Sequence, residues 1–485
     1  MEKQIPGLLC WLRRHLNRLR MRLSRRDFVK RAALASGCAA LGGGVVGCST
    51  HTTTSGTVTT TTNPSLPNPA NSGIEHIVMV TMENRSFDHL MGWLPNTAGK
   101  QAGLSYVDKS GVSHATYALS GNFTGCPMED PDHSYGASRQ EYNNGAMDGF
   151  LRPASNDIFA IGYYQEADIP FYAALARNYT TCDHYHSSIL GPTFPNRFFL
   201  YAGQTDRVDN AISISSLATI IDRLTAAKVS FGYYYQNAPF LALWGAQYLG
   251  VSHLHSDFLT AAANGTLPSV SYVDPMFTVL DDGTGTDDHP HSDIRKGDLF
   301  LHDMFTAIAK GPAWSSTVVV FNFDEGGGFF DHVAPTRVTA ANSVDTDVVN
   351  GQTLLGFRLP VVIASPWTRG DATNPRVNSM LFDHTSVLKL IEWRWGLAPL
   401  TPRDGGSDIT NLAYALNFSS PVTTVPVLPT PTAPAIGTPC AANPSGAFGL
   451  ERSGTAVAPR SATATAESEW AGLRELAVQY EFAVV

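Results

Sequence analysis

Two short acidic pairs raise the chemical question in this chain. Glu83-Asn84 follows the apolar run Ile77-Val78-Met79-Val80, and Asp324-Glu325 follows Val318-Val319-Val320-Phe321-Asn322-Phe323. Three carboxylates and an amide oxygen are hard donors suited to a divalent cation. Either pair alone reads equally well as a helix N-cap or a solvated turn. Gly326-Gly327-Gly328 comes directly after the second pair. Three glycines let a backbone approach a ligand closely, or simply turn the chain. Between the pairs lies Gly191-Pro192-Thr193-Phe194-Pro195-Asn196-Arg197. A hydroxyl held in so irregular a backbone is a candidate nucleophile, but a threonine needs a base or a metal to act as one.

Proton-transfer candidates come from fifteen histidines. His133 and His289 sit among acids and prolines, and His332 follows Asp331, all outside helical patterns. These three stand above His184, His186 and His384 as candidates. Arg85 to His89, directly after the first pair, read as support for it.

The elements that must carry these groups alternate in type. Continuous apolar runs at 77–80, 269–273, 317–323 and 360–364 have the character of strands buried on both faces of a parallel sheet. Helical periodicity covers 299–309 and 384–395, and a short amphipathic helix is expected over 467–482. Such alternation specifies an α/β sandwich, where functional groups gather beyond the carboxyl ends of the strands. Tyr233-Tyr234-Tyr235 and Trp244 read either as core or as an aromatic cage for a cationic headgroup.

Length and charge set the frame. The 485 residues carry a formal charge of −9, but residues 1–31 alone carry +8, which leaves −17 on the rest. So acidic a body excludes non-specific binding of nucleic acid. Ser24-Arg25-Arg26-Asp27-Phe28-Val29-Lys30 and the Ala/Gly-rich run after it have the form of a twin-arginine export signal. Val45-Val46-Gly47-Cys48 has the form of a lipoprotein box, so membrane attachment through a lipidated Cys48 is expected, in the periplasm or cell envelope. The division expected is a leader over 1–48, a Thr/Pro-rich tether over 49–73, a catalytic domain over 74–410 and a Pro/Thr/Ala-rich tail over 411–485. Outside the leader, Cys126 and Cys182 are available for a disulfide, leaving Cys440 unpaired. No Cys-x-x-Cys pair indicates a thiolate zinc site.

Six blocks in order, IEHIVMVTMENRSFDH, GPTFPNR, DDHPHSDIRKG, FNFDEGGGFFDHVAPT, LPVVIASPWTRG and FDHTSVLKLIEWRWG, span residues 74 to 396. Together they resemble the phosphoesterase family of bacterial phospholipases C, plant non-specific phospholipases C and exported acid phosphatases. The resemblance implies a three-layer α/β/α sandwich of the alkaline-phosphatase type with one divalent metal ion. It makes Glu83, Asn84, Thr193, Asp324 and Glu325 the metal ligands, Thr193 also the nucleophile, and His133, His289 and His332 the histidines around the phosphate. The implied activity is hydrolysis of a phosphoric ester, chiefly of the phospholipase C type, on a phospholipid or other phosphodiester through a phosphothreonine. The alternatives are an acid phosphatase acting on soluble monoesters and a non-catalytic surface lipoprotein on the same scaffold. Many phospholipase members read DEHGG where this chain has Gly326, which removes a contact near the headgroup. No Cys-x-Pro-x-Arg motif supports a sulfatase.

Overall fold

The computed structural model describes residues 65–126, 128–279, 283–435 and 469–484. The export signal, Cys48 and Cys440 lie outside the described residues. Eight strands form the central sheet: β1 His76–Met82, β2 Thr180–Cys182, β3 Phe231–Tyr235, β4 Ser252–Leu254, β5 Val270–Val273, β6 Thr317–Phe323, β7 Val361–Ala364 and β8 Arg376–Asn378. Their spatial order is β8-β2-β7-β6-β1-β5-β3-β4. The central strands are buried along nearly their whole length, which requires layers on both faces of the sheet.

Those layers are helical: α1 Phe87–Met91, α2 Tyr135–Tyr142, α3 Pro170–Asn178, α4 Thr193–Ala202, α5 Ile220–Ala226, α6 His255–Asn264, α7 Ile294–Lys310, α8 Thr385–Trp395 and α9 Glu469–Gln479. One group packs α3 and α6 on α7, and another packs α5 and α8 on α4. The α/β sandwich expected from the sequence is therefore the fold observed, a large mixed sheet with flanking helices. The expected helix and strand runs fall within one or two residues of β1, β5, β6 and α8, while α7 starts five residues earlier than its apolar periodicity and α9 ends three residues before the expected 482.

The sheet departs from expectation at one strand. The run at 360–364 forms β7, which is antiparallel to both of its neighbours, β6 and β2. All other pairings in the sheet are parallel. A continuous apolar run reports burial on both faces and carries no information on strand direction.

Three further expectations change. Cys182 is a buried free thiol in β2, whereas Cys126 is disulfide-bonded, so the pairing of Cys126 with Cys182 does not form. Both cysteines were chosen by elimination, which cannot see that Cys182 points into the sheet core. Residues 65–73, assigned by composition to the tether, form a short turn at Pro69–Asn71, and Ser72 is buried. The start of the tail is also bound to the domain, through Val422 N to Pro366 O at 2.8 Å and Trp314 Nε1 to Thr423 O at 2.8 Å.

Ile363 lies fully buried in β7, next to the strand that delivers Asp324-Glu325. Ile363→Ala is expected to cost about 2–5 kcal/mol of stability, measured as a lower urea midpoint with an unchanged slope.

Candidate active site

Parallel pairing brings the two acidic pairs together. Met82 of β1 lies opposite Phe323 of β6, so Glu83 and Asp324 leave the sheet side by side. Asp324 N donates to Met82 O at 3.1 Å, which extends the ladder by one step. The chain then turns sharply. Asn84 takes the left-handed φ of 58°, and its N–H donates to Asp324 Oδ1 at 3.0 Å. Glu325 N donates to the same oxygen at 2.7 Å. Gly327, with φ of 61°, closes the other side, where a Cβ would lie 2.2 Å from the Asn84 carbonyl oxygen. Gly327 is therefore required by the approach of one acidic loop to the other, whereas Gly326 has room for a Cβ.

Thr193 arrives at the first turn of α4, with its Oγ1 donating to Asn84 Oδ1 at 3.4 Å. The irregular loop before it is held by Asn196. The Asn196 side chain accepts from Ile189 N at 3.1 Å and donates to Gly191 O at 2.9 Å and Pro192 O at 3.1 Å. Thr193 thus stands at the positive end of a ten-residue helix, beside the amide of the first acidic pair.

One buried cation ties the carboxylates together. Arg197 Nε donates to Asp324 Oδ2 at 3.0 Å and Nη1 to Asp274 Oδ1 at 2.9 Å, while Nη2 lies 3.7 Å from Glu83 Oε1. Burial opposes the charge on Arg197, but Asp274, Asp324 and Glu83 overcome it and raise its pKa further. Three carboxylates share this single guanidinium, and Glu325 lies next in sequence to one of them. The surplus falls on Glu325, whose carboxyl group is pushed up to about 8, chiefly by burial and also by Asp324, against the opposing pull of His133. Its Oε1 has no hydrogen-bond partner. Glu325 Oε1 is thus a buried carboxylate oxygen of the hard type a divalent cation takes, while both Asp324 oxygens already accept from Asn84 N, Glu325 N and Arg197 Nε.

The histidines lie at different distances from this centre. His133 Nε2 is 3.8 Å from Glu325 Oε1, and its Nδ1 is fixed by Pro131 O at 2.9 Å. His289 Nε2 faces Asp130 Oδ2 at 3.7 Å. His332 Nδ1 pairs with Asp88 Oδ2 at 2.5 Å, and none of the contacts shown for it reaches the five expected ligands. Asp88, Asp331 and His332 are close enough together to hold an ion. Arg358, fully buried, already bridges Asp88 at 3.0 Å and Asp331 at 3.0 Å, so we read this cluster as structural.

Arg85 to His89, expected to support the first acidic pair, hold neighbouring loops: Ser86 Oγ donates to Phe330 O at 2.6 Å and His89 Nδ1 donates to Gly162 O at 2.8 Å. Arg85 donates to the carbonyls of Asp288 at 2.6 Å and His289 at 3.3 Å, and so fixes the loop that carries His289. His384 Nε2 donates to Asp324 O at 2.7 Å; burial pushes its pKa down to about 4, which keeps it a neutral donor. Sequence reasoning missed Asp274, the roles of Asn196 and Arg197, and Trp470. Asp274 follows the β5 run as Glu83 follows β1, so the strand-end rule could have found it. The tyrosines at 233–235 and Trp244 are buried core, not a cage: Tyr233 Oη donates to Asp274 Oδ2 at 2.6 Å.

Residues 74–398 match the Phosphoesterase family, and the chain belongs to it. It is a hydrolase acting on phosphoric ester bonds. The chain is 31% identical to non-specific phospholipase C6 of Arabidopsis thaliana, covering 69% of this chain and 70% of that one. It is 30% identical to phospholipase C B of Mycobacterium tuberculosis, over 72% and 78% of the two chains. With the hemolytic phospholipase C of Pseudomonas aeruginosa it shares 27% identity, over 67% of this chain and 53% of that one. Among solved structures it is similar to a phosphonate monoester hydrolase of Agrobacterium radiobacter, with a TM-score of 0.31, 10% identity and 69% and 78% coverage.

The raised Glu325 pKa sets a pH dependence. Without a cation, the folded chain keeps Glu325 protonated between its ordinary 4.5 and about 8, so folding stability falls as pH rises through that window. A cation binding at pH 6.5 must displace that proton. Calorimetric titration in two buffers of different ionisation enthalpy is expected to show about one proton released per ion at pH 6.5. Little release is expected above pH 8.5, and Glu325→Gln should abolish it. Equal apparent enthalpies in the two buffers at pH 6.5 would contradict the assignment.

Proposed function

We propose that the chain is a metal-dependent phosphodiesterase of the phospholipase C type, with Thr193 as its nucleophile. The observation that carries this reading is the placement of the Thr193 hydroxyl at a helix N-terminus, 3.4 Å from Asn84 Oδ1, beside the two strand-end acidic pairs. The names of the relatives supply the substrate class, a phospholipid or a related phosphate ester.

Glu83, Asn84, Asp324, Glu325 and Thr193 would hold the cation, which supplies a lowered pKa for the hydroxyl and polarisation of a phosphoryl oxygen. Thr193 Oγ1 releases its proton to solvent and attacks phosphorus in line, and the bond from phosphorus to the leaving alkoxide breaks. In this reading His289, which faces Asp130, or His332, which pairs with Asp88, protonates that alkoxide. For a phospholipid the leaving alcohol is diacylglycerol, and the headgroup phosphate remains esterified to Thr193. Water then attacks the same phosphorus, giving its proton in this reading to His133 beside Glu325; the bond from phosphorus to Thr193 Oγ1 breaks, Oγ1 regains a proton, and the phosphorylated headgroup leaves.

Thr193→Ala is expected to lower kcat at least 1,000-fold, about 4 kcal/mol of barrier, with cation content retained through the other four donors. The substrates to compare are p-nitrophenyl phosphate, p-nitrophenyl phosphorylcholine and phosphatidylcholine, with and without chelator. Chelator-sensitive cleavage of the two diesters supports the reading. Cleavage of the monoester alone would make the protein a phosphatase, and near-native activity in Thr193→Ala would remove the nucleophile assignment.

We also propose, from the motifs in residues 1–48, that the chain is exported by the twin-arginine route and anchored through Cys48. Cys48→Ser should move it from the membrane fraction to the soluble envelope fraction, and an unchanged distribution would count against the anchor.

A further inference from the structure

A helix from the far end of the chain reaches the proposed cation site. Trp470, on α9, lies outside the family match over 74–398, yet it is only 1% exposed. Its Nε1 donates to Glu83 Oε2 at 3.2 Å, across 387 residues of sequence. The indole stacks on Phe277, with centroids 3.5 Å apart and planes 10° apart, and meets the edge of Phe194 at 5.5 Å. Phe194 directly follows the Thr193 nucleophile. The Arg197 guanidinium lies over both partners of the stack, 4.8 Å from the Phe277 ring and 5.3 Å from the Trp470 ring.

The rest of α9 holds this ring in place. Leu473 and Ala477 are fully buried, and Phe482 beyond the helix is nearly so. Tyr235 Oη donates to Ala483 O at 2.7 Å, and the Ile212 side chain fills the space beside Gly472. The helix is therefore docked along its length, with the indole as its innermost group. A tryptophan N–H that meets a buried carboxylate is itself satisfied there, and the ring excludes water from the adjacent ion pairs.

We propose that α9 is a built-in clasp of the catalytic site and that Trp470 is a positioning residue. Its N–H fixes the rotamer of the Glu83 carboxylate, and its ring seals the side of the site behind Arg197. This rests on reading Glu83 as a cation ligand. Groups that orient a metal ligand typically change metal affinity 10–100-fold when removed. Trp470→Phe keeps an aromatic ring against Phe277 and deletes only the N–H and part of the ring, so it separates orientation from docking.

The experiment uses the full chain. Cation affinity is measured by calorimetric titration with Mn2+, Ca2+ and Zn2+ for the wild type, Trp470→Phe, Glu83→Gln and the double variant. Hydrogen exchange of the metal-free proteins is followed over residues 79–86 and 192–199. The clasp predicts that Trp470→Phe weakens the bound cation roughly tenfold. It also predicts that the double variant loses no more than Glu83→Gln alone. Exchange should quicken within those two segments, while Val478→Ala, at an exposed position of the same helix, matches the wild type. Wild-type cation affinity in Trp470→Phe, or losses that add in the double variant, would overturn the orienting role. If the wild type binds none of the three ions, the cation reading of Glu83 fails, and hydrogen exchange alone decides the clasp. Unchanged exchange in Trp470→Ala would then overturn it.

Discussion

A guanidinium with 1% exposure is tolerable only where carboxylates surround it, and Arg197 meets three of them on three different strand ends. Glu83 leaves β1, Asp274 leaves β5 and Asp324 leaves β6. The ion pairs form because those strands are neighbours and parallel, so their carboxyl ends share one edge of the sheet. Removing one partner from such a buried cluster leaves an uncompensated charge, a cost of about 3–5 kcal/mol. Three carboxylates against one guanidinium leave an excess of buried negative charge, and Glu325 beside them faces His133 at 3.8 Å, with its own carboxyl pushed up to about 8. The proposed chemistry draws on that excess.

Around this centre the chain spends unusual backbone to achieve close approach. Asn84 adopts a left-handed conformation that a non-glycine residue seldom takes, and Gly327 passes within contact distance of its carbonyl. Asn196 staples the loop before Thr193, so the Thr193 hydroxyl is aimed by side-chain hydrogen bonds and by the start of a helix. Arg85, Arg358 and His384 perform the same service for the 288–289 loop, for Asp88 with Asp331, and for the Asp324 carbonyl. These buried polar groups act on other residues, and their substitution should reach the site through the backbone they hold.

Much of this was legible in the sequence because burial and strand-end chemistry are local. The apolar runs before Glu83 and Asp324 marked the two strands, and the abrupt acidic endings marked the site. Thr193 was marked by its Gly/Pro-flanked loop and the three histidines by neighbouring acids and prolines, while their roles came from the family resemblance. Other features were illegible for physical reasons. Strand direction leaves no trace in an apolar run, so β7 was expected to be parallel. Asp274 lacked a paired neighbour to draw notice, and Arg197 resembled any helical arginine. Trp470 lies in a short amphipathic helix after a Pro/Thr/Ala-rich stretch, where composition suggests a peripheral tail. Tyr233 to Tyr235 showed aromatic character but not whether the rings faced substrate or core.

The central claim is that the buried carboxylate cluster is completed by one divalent cation. The most direct measurement is the metal content of the purified full chain by mass spectrometry, after dialysis against metal-free buffer, for the wild type and Asp324→Asn. The account predicts close to one equivalent of a single divalent metal in the wild type and a large loss in Asp324→Asn. A fully active wild type without bound metal, or an Asp324→Asn protein with undiminished content, would contradict it.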